Sequence, residues 1–392
     1  MKRRYTMVSR FTIREQNESL VLKEIVDQNE ISRSELSQRT SINKTTISEI
    51  VKKLLEDKLI LETRVGKSSS QGGRRPVLLT LNRNAGFIIS IDVGAFYVKA
   101  ILTNLTGEVI NRYKIKDKIN KINILEHIRL TIDTLEKYIP KTEYGIVGTS
   151  IGIHGVVNNE EIVFTPAYNL DQLSLKQELE EAYDWPIYIA NEANLAALGE
   201  YTFGTMHENL VSISSHTGIG AGVVNNGKLY TGNNGKTGEI GHMTIFPNGK
   251  QCPCGNKGCL ELYASNQALY RNISKSLNID IETIDADKIE ELFEKNTNQL
   301  KPILENFTSL LAIGIHNIVL LYDPELIIMN SSVLQKIPDL LIDIKNEINS
   351  RFSENIKIIN SELDGNSVLL GGVTMVAQGF MNIKKLKFNT FL

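Results

Sequence analysis

The three cysteines of this chain fall within one short run, Cys252-Pro253-Cys254-Gly255-Asn256-Lys257-Gly258-Cys259, and His242 stands just upstream in Gly238-Glu239-Ile240-Gly241-His242. Three thiolates and one imidazole are the ligand set of a closed tetrahedral zinc site. Gly255 and Gly258 let the backbone turn tightly enough to converge the thiolates. With His242, Cys252, Cys254 and Cys259 all bound, no coordination position stays open, so the expected Zn2+ is structural and carries no catalytic water. Three buried thiols beside an unrelated histidine are the competing reading, and ligand number and spacing weigh against it. Glu239 and Glu261 flank the cluster, and acidic side chains beside a rigid metal loop can grip a polyol.

At 392 residues the chain is too long for one simple core, so two or three domains are expected. A hydrophobic content of 42% is ordinary for a globular protein. No apolar run approaches the roughly 18 residues of a membrane span. The basic start Met1-Lys2-Arg3-Arg4-Tyr5 has no apolar region after it, so no signal peptide is expected. Thiols reserved for metal fit a reducing cytoplasm. The net charge of -2 hides an asymmetry: residues 1–84 hold 17 Lys and Arg against 10 Asp and Glu, and the remainder 26 against 35. A basic module on an acidic body points to a polyanion at one end only.

The basic module carries a motif. Leu20, Val21, Ile25 and Val26 follow helical spacing, which Ile31 breaks. Ser32-Arg33-Ser34-Glu35 reads as a capping box opening a helix to about Arg39. Thr40-Ser41-Ile42-Asn43 is a short turn, and Asn43 suits the N-cap of a helix from Lys44 to about Asp57. That helix has an apolar face of Ile47, Ile50, Val51, Leu54 and Leu55. Two short helices joined by a four-residue turn are the layout of a helix-turn-helix. Thr45, Thr46 and Ser48 would meet base edges, and Lys44, Lys52 and Lys53 phosphates. Leu59–Arg64 and Pro76–Leu81 read as the two strands of a wing. Between them, a Ser- and Gly-rich loop ends in Arg74-Arg75-Pro76, an arm suited to a narrow minor groove. An oligomerisation module with a linker is the alternative, and it leaves the wing and basic tip without a role.

From Phe87 the pattern changes. Strands are expected at Phe87–Asp92, Tyr97–Asn104 and Val109–Ile115, then a helix at about Ile122–Tyr138 and a strand at Tyr144–Ile151. A similar group recurs: strands at Asn209–Ser215, Ala221–Val224 and Gly227–Tyr230, a long helix at Lys301–Leu321, and a strand at Glu325–Met329. A meander, helix and strand given twice describe two α/β lobes with a cleft between them.

The body resembles the ROK family of bacterial sugar kinases and repressors, within the actin-like ATPase superfamily. The resemblance rests on Asp92-Val93-Gly94, Asn191-Glu192-Ala193-Asn194, Thr217-Gly218-Ile219-Gly220-Ala221-Gly222, the Gly238–His242 motif and the cysteine run ending in Cys259-Leu260-Glu261. It implies an α/β fold: an N-terminal winged helix-turn-helix on a two-lobed, sugar kinase-like body. The expected units are 1–82, with the basic arm; 83–190, the first lobe; and 191–392, the second lobe with the zinc loop, its C-terminal helix free to return to the first lobe. The resemblance also implies sugar contacts at Asn191, Glu192, Glu239, His242 and Glu261, with Gly155 of Gly152-Ile153-His154-Gly155 on the opposite wall. One His242 nitrogen would hold zinc while the other faces the sugar or a carboxylate.

A kinase of this type needs an Asp base where Glu192 stands, and Glu is one methylene longer. It needs a phosphate loop Asp-x-Gly-Gly-Thr-Lys, where this chain has Asp92-Val93-Gly94-Ala95-Phe96-Tyr97. It needs a glycine-rich turn where this chain has Asn330-Ser331-Ser332. The expected function is therefore a non-enzymatic, sugar-responsive repressor. It would bind a palindromic operator as a homodimer or higher oligomer, and an aldose would release it. Residues 238–265 are similar to xylose repressors of low-GC Gram-positive bacteria, which implies xylose. An ATP-dependent sugar kinase with an appended DNA-binding module is the alternative.

Overall fold

The computed structural model describes residues 13–65, 76–166, 168–171 and 173–388. At the N-terminal end, α1 (Ile13–Gln28) is followed by β1 (Ile31–Ser32), α2 (Arg33–Thr40) and α3 (Lys44–Glu56), then by β2 (Ile60–Val65) and β3 (Val77–Leu81). The Ser32 hydroxyl accepts from the Glu35 N–H, and the Glu35 carboxylate accepts from the Ser32 N–H at 2.8 Å, closing the capping box. Ser41, in the left-handed region at φ 58°, ends α2. Asn43 then caps α3 by accepting from the Thr46 N–H at 2.9 Å. Ile47, Ile50, Val51 and Leu54 are buried on one face of α3. Two sequence expectations change. Leu20 is 39% exposed, and Leu22 takes its place beside Val21, Ile25 and Val26. Ile31, which broke the helical spacing, belongs to β1, which pairs with β3 to give the sheet order β1-β3-β2.

The body is built from one strand pattern used twice. In the first lobe, β4 (Phe87–Gly94), β5 (Tyr97–Asn104) and β6 (Val109–Lys116) form an antiparallel meander. Helix α4 (Ile124–Glu136) leads to β7 (Ile146–Ile153), parallel to β4. A small hairpin of β8 (Val156–Asn158) and β9 (Glu161–Phe164), then α5 (Leu175–Glu180), leads to β10 (Ile187–Asn191), parallel to β7. The sheet order is β10-β7-β4-β5-β6.

Helix α6 (Glu192–Gly199) starts directly from β10 and runs into a π-helical turn at Glu200–Gly204. The second meander follows as β11 (Leu210–Ser215), β12 (Ile219–Asn225) and β13 (Lys228–Leu229). After the cysteine loop come α7 (Glu261–Ala264), α8 (Asn266–Leu277), α9 (Ala286–Lys295) and α10 (Thr297–Tyr322). Then β14 (Leu326–Asn330), α11 (Ser332–Lys336), α12 (Asp339–Glu347), β15 (Lys357–Asn360) and α13 (Ser367–Met381) complete the chain. The order β13-β12-β11-β14-β15 repeats that of the first sheet, with β14 and β15 parallel to β11.

The longest helix corrects one expectation. Thr297–Tyr322 is long and apolar enough to cross a membrane by composition, although the sequence reading found no such run. Its Leu300, Leu304, Phe307, Leu311, Ile315 and Ile318 are buried in the core of the second lobe, which explains its hydropathy. Helix α13 leaves that lobe and packs against α6 and against β7 and β4 of the first sheet. The α6–α13 approach is so close that a Cβ on Gly371 would sit 1.7 Å from the Leu195 carbonyl oxygen. The N-terminal module is also continuous with the body: Val21, Ile25, Ile47 and Leu79 share a hydrophobic cluster with Ile88, Phe203, Val373 and Phe388.

Candidate functional site

Open α/β sheets present ligand-binding groups at the carboxyl ends of their parallel strands. Register sets the first wall here. Asn191 ends β10 opposite Ile153 of β7, which brings Asn191 and Glu192 against the His154-Gly155 turn. The Asn191 amide donates to the Gly155 carbonyl at 2.7 Å, and its Oδ1 accepts from the Asn194 N–H at 3.0 Å, capping α6. The second wall comes from the β11–β12 turn, the 3-10 turn Ile240–His242 and the start of α7. Between the walls lies a cleft of about 260 Å³, and Gly155, Asn191, Glu192, Glu239, His242 and Glu261 all line it.

Glu192 is 6% exposed, and its Oε1 has no hydrogen-bond partner among the described residues. Leaving a buried polar oxygen unpaired costs roughly 1–3 kcal/mol, so the site is suited to a hydroxyl donor. Glu239 has its pKa raised: burial dominates, His242 opposes the rise, and Glu261 and Glu192 add to it. His242 lies between carboxylates, with Nδ1 3.4 Å from Glu261 Oε1 and Nε2 3.8 Å from Glu239 Oε2. The arrangement offers paired acceptors of the kind a polyol needs, held by short elements instead of loose loops.

One ligand atom from each of His242, Cys252, Cys254 and Cys259 lies within 4.8 Å of the others. The Cys254 and Cys259 sulfurs are 3.8 Å apart, and Cys252 Sγ is 3.5 Å from His242 Nδ1. Zinc–sulfur bonds of about 2.3 Å in a tetrahedron give a sulfur–sulfur edge of about 3.8 Å, so the cluster fits a zinc-sized metal ion. Gly258, at φ +70°, makes the turn possible: a Cβ there would lie 1.6 Å from the Phe246 carbonyl oxygen. The Nδ1 of His242 faces the sulfurs and Nε2 faces the cleft, so one ring joins cluster and pocket.

The Asp92–Tyr97 turn lies beside this pocket. Asp92 is 1% exposed and saturated by the chain itself. It accepts from His154 Nε2 at 3.0 Å and from the Tyr97 hydroxyl at 3.1 Å, and it pairs with Lys99 at 3.0 Å. Burial would raise its pKa, but Lys99 and His154 outweigh that and hold it far below the usual carboxylate range. The Tyr97 ring covers Gly94, where a Cβ would lie 2.4 Å from the ring. The Thr217–Gly222 motif spans the tight turn after β11 and the start of β12, where Gly222 lets α6 approach the strand.

Sequence reasoning missed His216, Gln267 and Arg271, which also line the cleft. His216 directly follows β11 and was findable as a residue at a strand's carboxyl end. Gln267 and Arg271 are one turn apart on α8, and only tertiary packing turns that helix to the pocket. On α3, Lys44, Thr45, Ser48 and Lys52 are exposed and Thr46 is half-buried. Lys53, also exposed, pairs with Glu18 of α1 at 2.6 Å. Arg74 and Arg75 lie outside the described residues.

The ROK family model matches residues 88–379. The xylose repressor of Bacillus spizizenii is 38% identical over 384 residues, covering 95% of this chain and 98% of its own length. A crystal structure of a ROK family transcriptional regulator, a homologue of the Escherichia coli MLC protein, superposes with a TM-score of 0.80 at 27% identity, covering 94% and 97% of the two chains. A ROK family glucokinase from Streptomyces griseus, with glucose and AMPPNP, shares the fold at a TM-score of 0.66 and 23% identity, over 75% of this chain and all of its own. The chain belongs to the ROK family and is one of its sugar-responsive transcriptional repressors, not one of its kinases.

Proposed function

We propose that the chain binds a palindromic operator as a cytoplasmic homodimer and that an aldose, xylose, enters the cleft and releases it. The observation that carries this reading is the cleft itself: it is lined by Glu192, whose buried Oε1 has no partner among the described residues, and by two further carboxylates, while the adjoining Asp92–Tyr97 turn is filled by Tyr97 and Lys99. Glu192, Glu239 and Glu261 accept sugar hydroxyls and the remaining amide hydrogen of Asn191 donates; Gly155, expected opposite Asn191, instead shares its wall and faces Glu239 and Glu261. Zinc held by His242, Cys252, Cys254 and Cys259 ties the loop to the pocket and supplies no chemistry beyond that cross-link. The xylose repressor relative supports the choice of sugar.

On the DNA side, α3 enters the major groove, with Thr45, Thr46 and Ser48 toward bases and Lys44 and Lys52 toward phosphates; Arg74 and Arg75 reach the minor groove. Packed contacts run between the two sites. Helix α6 begins with Glu192 and ends in the π turn, where Phe203 meets Phe388 with ring centroids 5.4 Å apart. Both belong to the cluster that contains the helix-turn-helix core. Sugar must bind the DNA-released state better, and a difference of about 2–3 kcal/mol makes a useful switch. An operator titration with and without xylose at fixed salt tests this: affinity should fall on adding xylose, and an unchanged affinity removes xylose as inducer.

A further inference from the structure

We propose that Asp92 and His154 are positioning residues for the inducer: they hold the Glu192 carboxylate so that its free oxygen meets a ligand hydroxyl. This rests on reading the cleft as a sugar site, and it gives the remnant of the phosphate loop a role in sugar binding.

The geometry forms a chain. Asp92 near the end of β4 is opposite Lys99 of β5 in the antiparallel register, which accounts for their ion pair. Its Oδ2 faces Lys99 and the Tyr97 hydroxyl, leaving Oδ1 to hold His154 Nε2 at 3.0 Å. The other ring nitrogen, His154 Nδ1, faces Glu192 Oε2 at 3.9 Å. The backbone is held as well: the His154 N–H donates to the Tyr168 hydroxyl at 2.8 Å, and that hydroxyl donates to the Val93 carbonyl at 3.0 Å. One imidazole nitrogen is thus hydrogen-bonded to a carboxylate, and the other stands at ion-pair distance from a second. Of the four carboxylate oxygens involved, the two of Asp92 are hydrogen-bonded or ion-paired, Glu192 Oε2 has the ion-pair contact to His154, and the buried Glu192 Oε1 has no hydrogen-bond partner among the described residues; Glu192 lines the cleft. A carboxylate anchored through one oxygen by a fixed cation presents the other in one direction, which lowers the entropy lost when a hydroxyl binds.

The charge balance agrees. Burial lowers the pKa of His154, but Glu192 and Asp92 outweigh it and raise the pKa, with Lys99 opposing. Tyr97 and Tyr168 face the same network with raised pKa values and stay neutral. His216, across the cleft, has its pKa lowered, first by burial. The ring of His154 therefore keeps its proton above the usual histidine range. Inducer affinity falls as pH rises through that raised value, because the imidazolium that orients Glu192 is lost. Asp92→Asn removes one of the raising contacts, so this alkaline fall starts at lower pH. His154→Gln removes the titrating group, so the fall disappears.

Calorimetric titration of the full-length protein with xylose between about pH 6 and pH 9 tests this. For the parent, affinity should drop on the alkaline side. Asp92→Asn should bind about tenfold more weakly, the loss of one charge-assisted contact, with the drop displaced toward neutral pH. His154→Gln should also bind about tenfold more weakly, with no alkaline drop, and it keeps the test open if the buried Asp92 change prevents folding. Parental affinity and pH profile in the variants would overturn the proposal. So would equal weakening at every pH with the drop retained, which marks structural support only. If the parent takes up no xylose or other aldose, the sugar-site reading itself fails.

Discussion

The two halves of the central cleft differ in what their polar groups still lack. On the cleft-facing side, Glu239 and Glu261 stand 3.8 and 3.4 Å from His242, and Glu192 on the opposite wall has an Oε1 with no partner among the described residues. On the former phosphate side, Asp92 is enclosed by Lys99, Tyr97 and His154. Both halves are charged and largely buried, so composition alone does not separate them. The difference is satisfaction: a buried group whose hydrogen bonds are complete within the chain has little to offer a ligand, and one left open is built to receive a donor. One half is left with an unpaired acceptor, and the other is closed by the chain's own side chains.

The largest effect that would break this contrast is loss of the metal cluster. Cys254→Ser should abolish stoichiometric zinc, read by metal analysis after gel filtration, and with it xylose-induced release from the operator. Operator affinity without sugar should change far less. Full inducibility in zinc-free protein would end the organising role given to His242.

Glu192→Gln should weaken xylose binding by roughly ten- to a hundredfold, since it removes a charged acceptor from a buried site. Unchanged calorimetric affinity would place the sugar elsewhere. The closed half predicts a null result beside a positive one: saturating xylose should raise the melting temperature, and MgATP at the same concentration should not. Stabilisation by MgATP would show that the Tyr97–Asp92–Lys99 cluster opens.

Arg74→Ala with Arg75→Ala acts outside the cleft. It should reduce the salt dependence of operator binding by about two in the log–log slope and leave xylose affinity intact. An unchanged slope would mean the arm does not touch DNA. The smallest expected effect is Ser32→Ala, which removes a capping box and should cost about 1 kcal/mol in chemical denaturation, again without altering sugar affinity.

Local chemistry made part of this legible in sequence. The capping box at Ser32, the Asn43 cap and the apolar face of α3 depend on neighbours three or four residues away, and the structure forms all three. The cysteine run and His242 were readable because metal ligands must be close together and of restricted type. The doubled meander was readable from strand periodicity and turn glycines, and both sheets have the same order. Other features had no local signal. Nothing in Asp92-Val93-Gly94 announces that Lys99 and His154 will saturate the aspartate, because that depends on the β4–β5 register and on a residue 62 positions away. The surface pairing of Lys53 with Glu18, and the turning of Gln267 and Arg271 to the cleft, likewise follow from how helices pack.

What the sequence determined by itself was the set of parts: a helix-turn-helix with its caps, a repeated α/β lobe, a His and Cys cluster that could hold a metal, and an Asp92-Val93-Gly94 turn without a second glycine or a threonine after it. These are set by interactions over a few residues and by residue type. Only the tertiary structure decided which polar groups remain available. Whether a carboxylate is open or spent depends on donors brought from distant strands and helices, and those positions are set by packing the two lobes, α6 and α13 into one core.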